Sequence, residues 1–340
     1  MKNLSIIFVS LVLFSCQKVN RIEPLLKTEV VPHDSDDPAI WLHPTDLTKS
    51  LIIGSDKDDI DGGIYAFDLE GNRIDSLSQH NLKYPNNVDV AYNFVLGQDT
   101  IDIAVSSERK TNKIRVYKLP EMEFIDLGGI PVFVGDKDAL RRPMGVAFHK
   151  NPNSGAFEIF VSRKEGPTEG YLGHYTIYSD STGILKSKEL RRLGAFSGGL
   201  GEIEAIAVDD EAQMLDYSDE ACCIRAYSTI VGQDDEVFKF GMDKFTEDRE
   251  GIAIFNNGKE KKLIISNQQE LAFNIYNIKG RVAPEFEQIV YLSTHETDGC
   301  ELTTTALPGF PNGLFVAMSD DRTFHYYDLQ EVLMGNVSDE

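Results

Sequence analysis

Six short segments set acidic, amide or otherwise polar positions directly before an apolar strand: DDPAIW (36–41), NNVDVA (86–91), RPMGVAF (142–148), EIEAIAV (202–208), REGIAIF (249–255) and TDGCEL (297–302). They supply Asp36, Asp37, Asn87, Asp89, Glu204, Glu250 and Asp298. Six others end an apolar run with Ser, any residue, then a polar one: LIIGSDK, IAVSSER, IFVSRK, LDYSDE, LIISNQ and FVAMSDD. The last residues of this set are Lys57, Arg109, Lys164, Glu220, Gln268 and Asp321. Carboxylates crowded with an amide oxygen suit a hard divalent cation, and calcium takes roughly six to eight oxygens in loose geometry. Zinc would want a His or Cys cluster, which the segments do not offer. Three cations beside such metals suit a multiply charged oxyanion, and Arg109 can fork two hydrogen bonds onto a phosphate.

That chemistry needs a fold that gathers distant residues. The apolar runs are short, β-branched and aromatic, and are bounded by Gly, Pro, Asn and Asp, with no long amphipathic helix, which is an all-β pattern. A strand with a late aromatic recurs in GIYAFDL, KIRVYKL, HYTIYSD, CIRAYST, FNIYNI and FHYYDL. Its anchors Phe67, Tyr117, Tyr178, Tyr227, Tyr276 and Tyr327 are spaced by 50, 61, 49, 49 and 51 residues. Six such repeats predict a six-bladed β-propeller. In each repeat the first strand leaves the polar turn and the second returns to the Ser-x-polar position, so antiparallel pairing puts both at one end of the blade. Radial repetition then collects these ends at one mouth. The cations come from the first three blades, and most acids from the last three together with Asp36 and Asp37. The acidic stretch VDDEAQ (208–213) falls at the opposite end and reads as a solvated turn.

The chain of 340 residues carries a net charge of −22, from 55 acidic and 33 basic side chains. That balance argues against nucleic acid and anionic membrane surfaces as partners. The opening MKNLSIIFVSLVLFSC reads as a lipoprotein signal peptide over residues 1–15, with Cys16 the lipidated first residue of the mature chain. Residues 16–27 are then expected as a tether and 28–335 as the propeller. The expectation is an exported bacterial lipoprotein in the outer membrane, periplasm or cell surface, touching membrane only through its lipid, and monomeric. Neighbours on a strand point to opposite faces, so Cys222 and Cys223 are expected as thiols, or one of them as a partner for Cys300.

The segments DDPAIWLHP, NNVDV, SER around Arg109, SRKEG, EAIAVDDE, DREGIAIF, SNQ, ETDG and GLFVA, in this order from about residue 28 to about 330, resemble the β-propeller phytases. The resemblance implies a calcium-dependent phosphomonoester hydrolase of the 3-phytase type, with several calcium ions and phytate, free or calcium-bound, as substrate. It implies phosphate binding by Lys57, Arg109, Lys164 and Glu165. It implies calcium ligation by Asp36, Asp37, Asn87, Asp89, Glu204, Glu220, Asp248, Glu250, Gln268 and Asp298. Catalysis would fall to Glu204, Glu220 and Glu250 with the three cations, by direct attack of a metal-activated water. Asp58, Met144 and Ala205 stand where the family commonly has Lys, Tyr and Gly, which weakens the second phosphate pocket. Two other functions fit parts of the pattern: a non-catalytic propeller that binds phosphorylated ligands, and a calcium-dependent lactonase or esterase. The three mouth cations argue against the uncharged substrate that the last would take.

Overall fold

The computed structural model describes residues 20–199 and 201–335. The expected signal peptide and Cys16 lie outside the described residues. Six antiparallel sheets share one plan. Blade one comprises β2 (Ser35–Trp41), β3 (Leu51–Asp56), β4 (Gly62–Phe67) and β5 (Gln79–Leu82). Blade two comprises β6 (Pro85–Leu96), β7 (Asp99–Glu108), β8 (Lys113–Leu119), β9 (Glu123–Phe124) and β10 (Ile130–Pro131). Blade three comprises β11 (Pro143–Lys150), β12 (Phe157–Arg163), β13 (Glu169–Ser179) and β14 (Leu185–Ala195). Blade four comprises β15 (Ile206–Asp209), β16 (Met214–Asp219), β17 (Cys223–Ser228) and β18 (Glu236–Phe240). Blade five comprises β19 (Arg249–Asn256), β20 (Lys261–Asn267), β21 (Ala272–Asn277) and β22 (Glu285–Tyr291). Blade six comprises β23 (Cys300–Thr303), β24 (Leu314–Ser319) and β25 (Thr323–Asp328), with β1 (Leu26–Lys27) as its outer strand. The inner strands β2, β6, β11, β15, β19 and β23 pack in succession around the axis, and β23 meets β2.

The middle strands read as nearly continuous apolar runs because both faces are covered by neighbouring blades. β3 and β24 are buried along their whole length. The outer strand β22, EFEQIVY, is instead exposed or half-buried along its length except at Val290. Between blades two and three, Phe94, Val105, Ile114, Phe148, Ile159 and Tyr175 form one core. Each such side chain contributes about 1.5–3 kcal/mol relative to its exposed state. Tyr175 is the aromatic anchor of blade three: it pairs with Ile159, three residues before Ser162, as Tyr117 pairs with Ala104 before Ser107. Tyr178, expected in that role, is 49% exposed. The longer β13 adds turn-side residues that shift the aromatic pattern out of phase.

Blade six closes the ring. Leu26 pairs with Tyr326 and Lys27 with His325, so the segment after residue 25 is a strand of the propeller. Residues 20–27 therefore do not act as free tether: Ile22 bridges to Leu292, and Arg21 Nη1 donates to the carbonyls of Leu271 and Leu292 at 2.6 and 2.8 Å. The turn at 208–213 also does more than meet solvent. Asp209 accepts from Lys261 Nζ of blade five at 2.7 Å, and Asp210 lies 2.6 Å from His149 Nδ1 of blade three. Cys222 and Cys223 are joined to each other rather than standing as the expected thiols, and Cys300 is a buried thiol, so the alternative bridge to Cys300 is not formed either. The tight turn after Asp219 removes the strand alternation that would have held the two sulfurs apart.

Candidate metal and anion centre

The inner strands begin in a repeated irregularity. Ser35 pairs with Asp56 but Pro38 with Gly54, and the same one-residue slip separates Pro85 from Val88, Pro143 from Val146 and Arg249 from Ile252. Each slip is a bulge that places two consecutive residues where one would stand and re-aims their side chains. Bulge position one holds Asp36, Asn86, Met144 and Glu250, and Glu204 and Asp298 occupy the matching places just before β15 and β23. Position two holds Asp37, Asn87, Gly145 and Gly251, matched by Ala205 and Gly299. Small residues there let blades approach closely: a Cβ on Gly145 would lie 1.7 Å from the Glu204 carbonyl oxygen. The serines of the second strands lock this arrangement. Ser162 Oγ donates to the Ile203 carbonyl, Ser218 Oγ to that of Glu250 and Ser266 Oγ to that of Thr297, each on the next blade.

Position one forms a rim. Glu204, Glu220 and Glu250, all buried, each bring one carboxylate oxygen within 4.8 Å of the others. Lys57 Nζ donates to Asp36 Oδ1 at 3.0 Å and also pairs with Asp298. Asn86 Nδ2 donates to Asp36 at 2.9 Å and to Glu204 at 3.3 Å, and Gln268 Nε2 donates to Asp298 at 2.6 Å. Lys164 pairs with Glu202. Asp248 accepts from Gln269 Nε2 at 2.7 Å at the edge of the group. Arg109 is buried beside Met144, while Glu165 is exposed in the turn after Lys164. Asp321 stands apart, engaged with Lys27 of the outer strand at 2.9 Å.

Burial pushes Glu204, Glu220, Glu250 and Asp298 toward their neutral forms, and repulsion from neighbouring carboxylates adds to it. Burial and then Asp36 raise Glu204 well above the usual carboxylate range. Burial, Glu220 and Glu204 do the same to Glu250. Glu220 is pushed up to about 8 by burial and Glu202, and Asp298 to about 7 by burial, against the opposing pull of Lys57. Lys57 behaves oppositely: burial lowers its pKa, but Asp36, Asp298 and Glu204 raise it further than burial lowers it. Several rim oxygens have no hydrogen-bond partner, among them Asn86 Oδ1, Glu202 Oε2, Glu220 Oε1 and Glu250 Oε2. Buried acceptors without donors are costly. An all-oxygen donor set with such orphans fits a hard divalent cation.

Position two leads inward instead. Asp37, Asn87 and Asp89 line an axial channel of about 380 Å³ below the rim, with Glu301. Asp37 accepts from Val88 N at 2.9 Å, and Asp89 from Val90 N and Phe148 N at 2.6 and 2.7 Å. The expected ligands thus fall in two layers. Asp36, Glu204, Glu220, Glu250, Gln268 and Asp298 meet at the rim, and Asp37, Asn87 and Asp89 lie under it. Asn86, Glu202 and Glu301 belong to these layers and escaped the sequence reading. Aligning the six segments two residues before Pro38, Val88, Val146, Ile206, Ile252 and Cys300 would have found Asn86. Glu202 and Glu204, two apart, share a side, which is a weaker signal.

The family model described as Phytase matches residues 3–327. The chain is 29% identical over 304 residues to the 3-phytase of Bacillus subtilis (strain 168), covering 84% of this chain and 75% of that protein. Among solved structures, the Dos1 propeller matches 87% of this chain and 67% of its own at 11% identity, with a TM-score of 0.44.

Proposed function

The chain belongs to the phytase family and is a phytase, and from that premise we propose that it cleaves phosphomonoesters of phytate with calcium held at the propeller mouth. The observation that carries this reading is the meeting of Glu204, Glu220 and Glu250 at the rim where Lys57, Arg109 and Lys164 also arrive. Glu204, Glu220, Glu250, Asp36, Asp298 and the amide oxygen of Gln268 would hold the ions, with Asp248 at their edge. Bound there, calcium supplies positive charge to phosphoryl oxygens and acidifies adjacent water.

The protein's own residues do the rest. Arg109, Lys57 and Lys164 neutralise charge on the transferring phosphoryl group, the main task in a loose transition state. With cations bound, a rim glutamate in its ionised form would take a proton from attacking water. Direct attack by water needs no covalent enzyme intermediate.

The test is release of inorganic phosphate from phytate by the purified protein. We expect release with calcium and loss in excess chelator, restored by added calcium. Full activity in chelator, or binding of phytate without release under any calcium level, overturns the proposal. The lipobox reading adds that Cys16 anchors the enzyme to a membrane; Cys16→Ala would then move it to the soluble fraction.

A further inference from the structure

The three mouth cations are held in two different ways. Lys57 sits between Asp36 and Asp298, and Lys164 sits on Glu202. No carboxylate pairs with Arg109 among the described residues. Its side chain is nonetheless buried, at 9% exposure, and its Nε has no hydrogen-bond partner. What touches the guanidinium is soft. Its Cζ lies 4.2 Å from the centroid of the Tyr84 ring, and Nη2 meets Met144 Sδ. Met144 occupies the rim position that carries oxygen in the other five blades. An acid there would pair with Arg109 and cancel it; a thioether does not.

Tyr84 is held in an uncommon conformation. Its φ is +61°, in the left-handed region that bulky side chains avoid. Both backbone groups are pinned: its N–H donates to the Asp58 carbonyl at 2.8 Å, and its carbonyl accepts from Arg109 N at 3.0 Å. The second bond ties the ring to the residue it covers. A strained residue that its surroundings over-determine, set against a buried functional group, points to a role for the ring.

We infer that Tyr84 is a positioning residue: its ring face, with Met144 Sδ against Nη2, aims the Arg109 guanidinium at a substrate phosphate without offering a carboxylate that would compete for it. A ring face attracts a cation yet leaves its N–H donors free. The inference rests on the reading of the mouth as a phosphate site, and it adds a residue that the resemblance to the family does not single out.

The experiment compares Tyr84→Leu, Tyr84→Phe and Tyr84→Trp in the full chain with calcium present. It reads calorimetric binding of inorganic phosphate, then KM and kcat for phytate, with thermal melting as a check on folding. Tyr84→Leu should weaken phosphate binding and raise KM about five- to tenfold. Tyr84→Phe and Tyr84→Trp should stay within about twofold, because the ring face remains. In an Arg109→Gln background, Tyr84→Leu should cost little more. Wild-type binding in Tyr84→Leu overturns the inference, as does a loss in Tyr84→Phe equal to that in Tyr84→Leu, or an undiminished loss in the Arg109→Gln background. If Tyr84→Leu does not fold, weakened binding in a folded Tyr84→Trp overturns it. A wild-type protein that binds no phosphate takes down the reading of the mouth itself, a result distinct from these.

Discussion

Rim and channel carry similar acids a few residues apart, yet treat them differently. In the channel, Asp37 and Asp89 are capped by backbone N–H groups of the next inner strand. Burial, outweighing those bonds, raises Asp37 well above the usual range and Asp89 to about 7, and it raises Glu301 to about 8. At the rim, the glutamates face one another with oxygens left over, and lysines close the perimeter. Channel acids are satisfied by the fold in large part; rim glutamates keep buried oxygens without a donor. Proximity in sequence therefore says little about role, and available lone pairs say much more.

The contrast can be broken most forcefully at the rim. Glu204→Gln or Glu250→Gln should lower phosphate release on the order of a hundredfold or more while leaving the melting temperature of chelated protein equal or higher. Removing calcium with a chelator should abolish release in the wild type and lower its melting temperature, since ligands of the native state alone stabilise it. Near-normal rates in both variants would erase the distinction between the layers. Lys164→Ala, which frees Glu202 and removes one phosphate partner, should raise KM about tenfold with a smaller change in kcat. Steady-state kinetics on phytate would show the split.

The smallest effect sharpens the channel side. The folded-state pKa values of Asp89 and Glu301 stand above their unfolded values. The neutral forms therefore favour the fold at low pH, and that contribution fades as pH rises through about 7 to 8. Chelated protein should lose a few degrees of melting temperature between pH 6 and 9 (estimated from linkage). Glu301→Gln, which cannot ionise, should flatten that slope and change turnover by about twofold at most. A slope unchanged by the substitution would mean that the channel acid is not what titrates.

Much of this architecture was readable from the chain. The aromatic spacing and the paired polar segments implied six blades and a common mouth, because radial repetition leaves few other ways to use a period near fifty. Glu204, Glu220, Glu250, Gln268, Asp298, Lys57, Arg109 and Lys164 were placed at that mouth by repeat position alone. Three of the readings that went astray did so for local reasons. Tyr178 was out of phase because β13 is long. The segment before residue 28 looked like tether because a two-residue closing strand has no period to read. Asp321 shares its repeat position with Gln268 but turns to Lys27, a partner 294 residues away.

By itself the sequence determined residue types, blade count and the end of each blade at which they stand, since alternation and antiparallel return follow from backbone geometry. Only the tertiary structure decided which of two adjacent acids reaches the rim and which enters the channel. Asp36 meets Lys57 and Asn86, while Asp37 turns to Val88 N of the neighbouring blade. The reason is the bulge at the start of the inner strand: one extra residue breaks the twofold alternation, and its position is set by pairing with β3, not by the residues DD themselves.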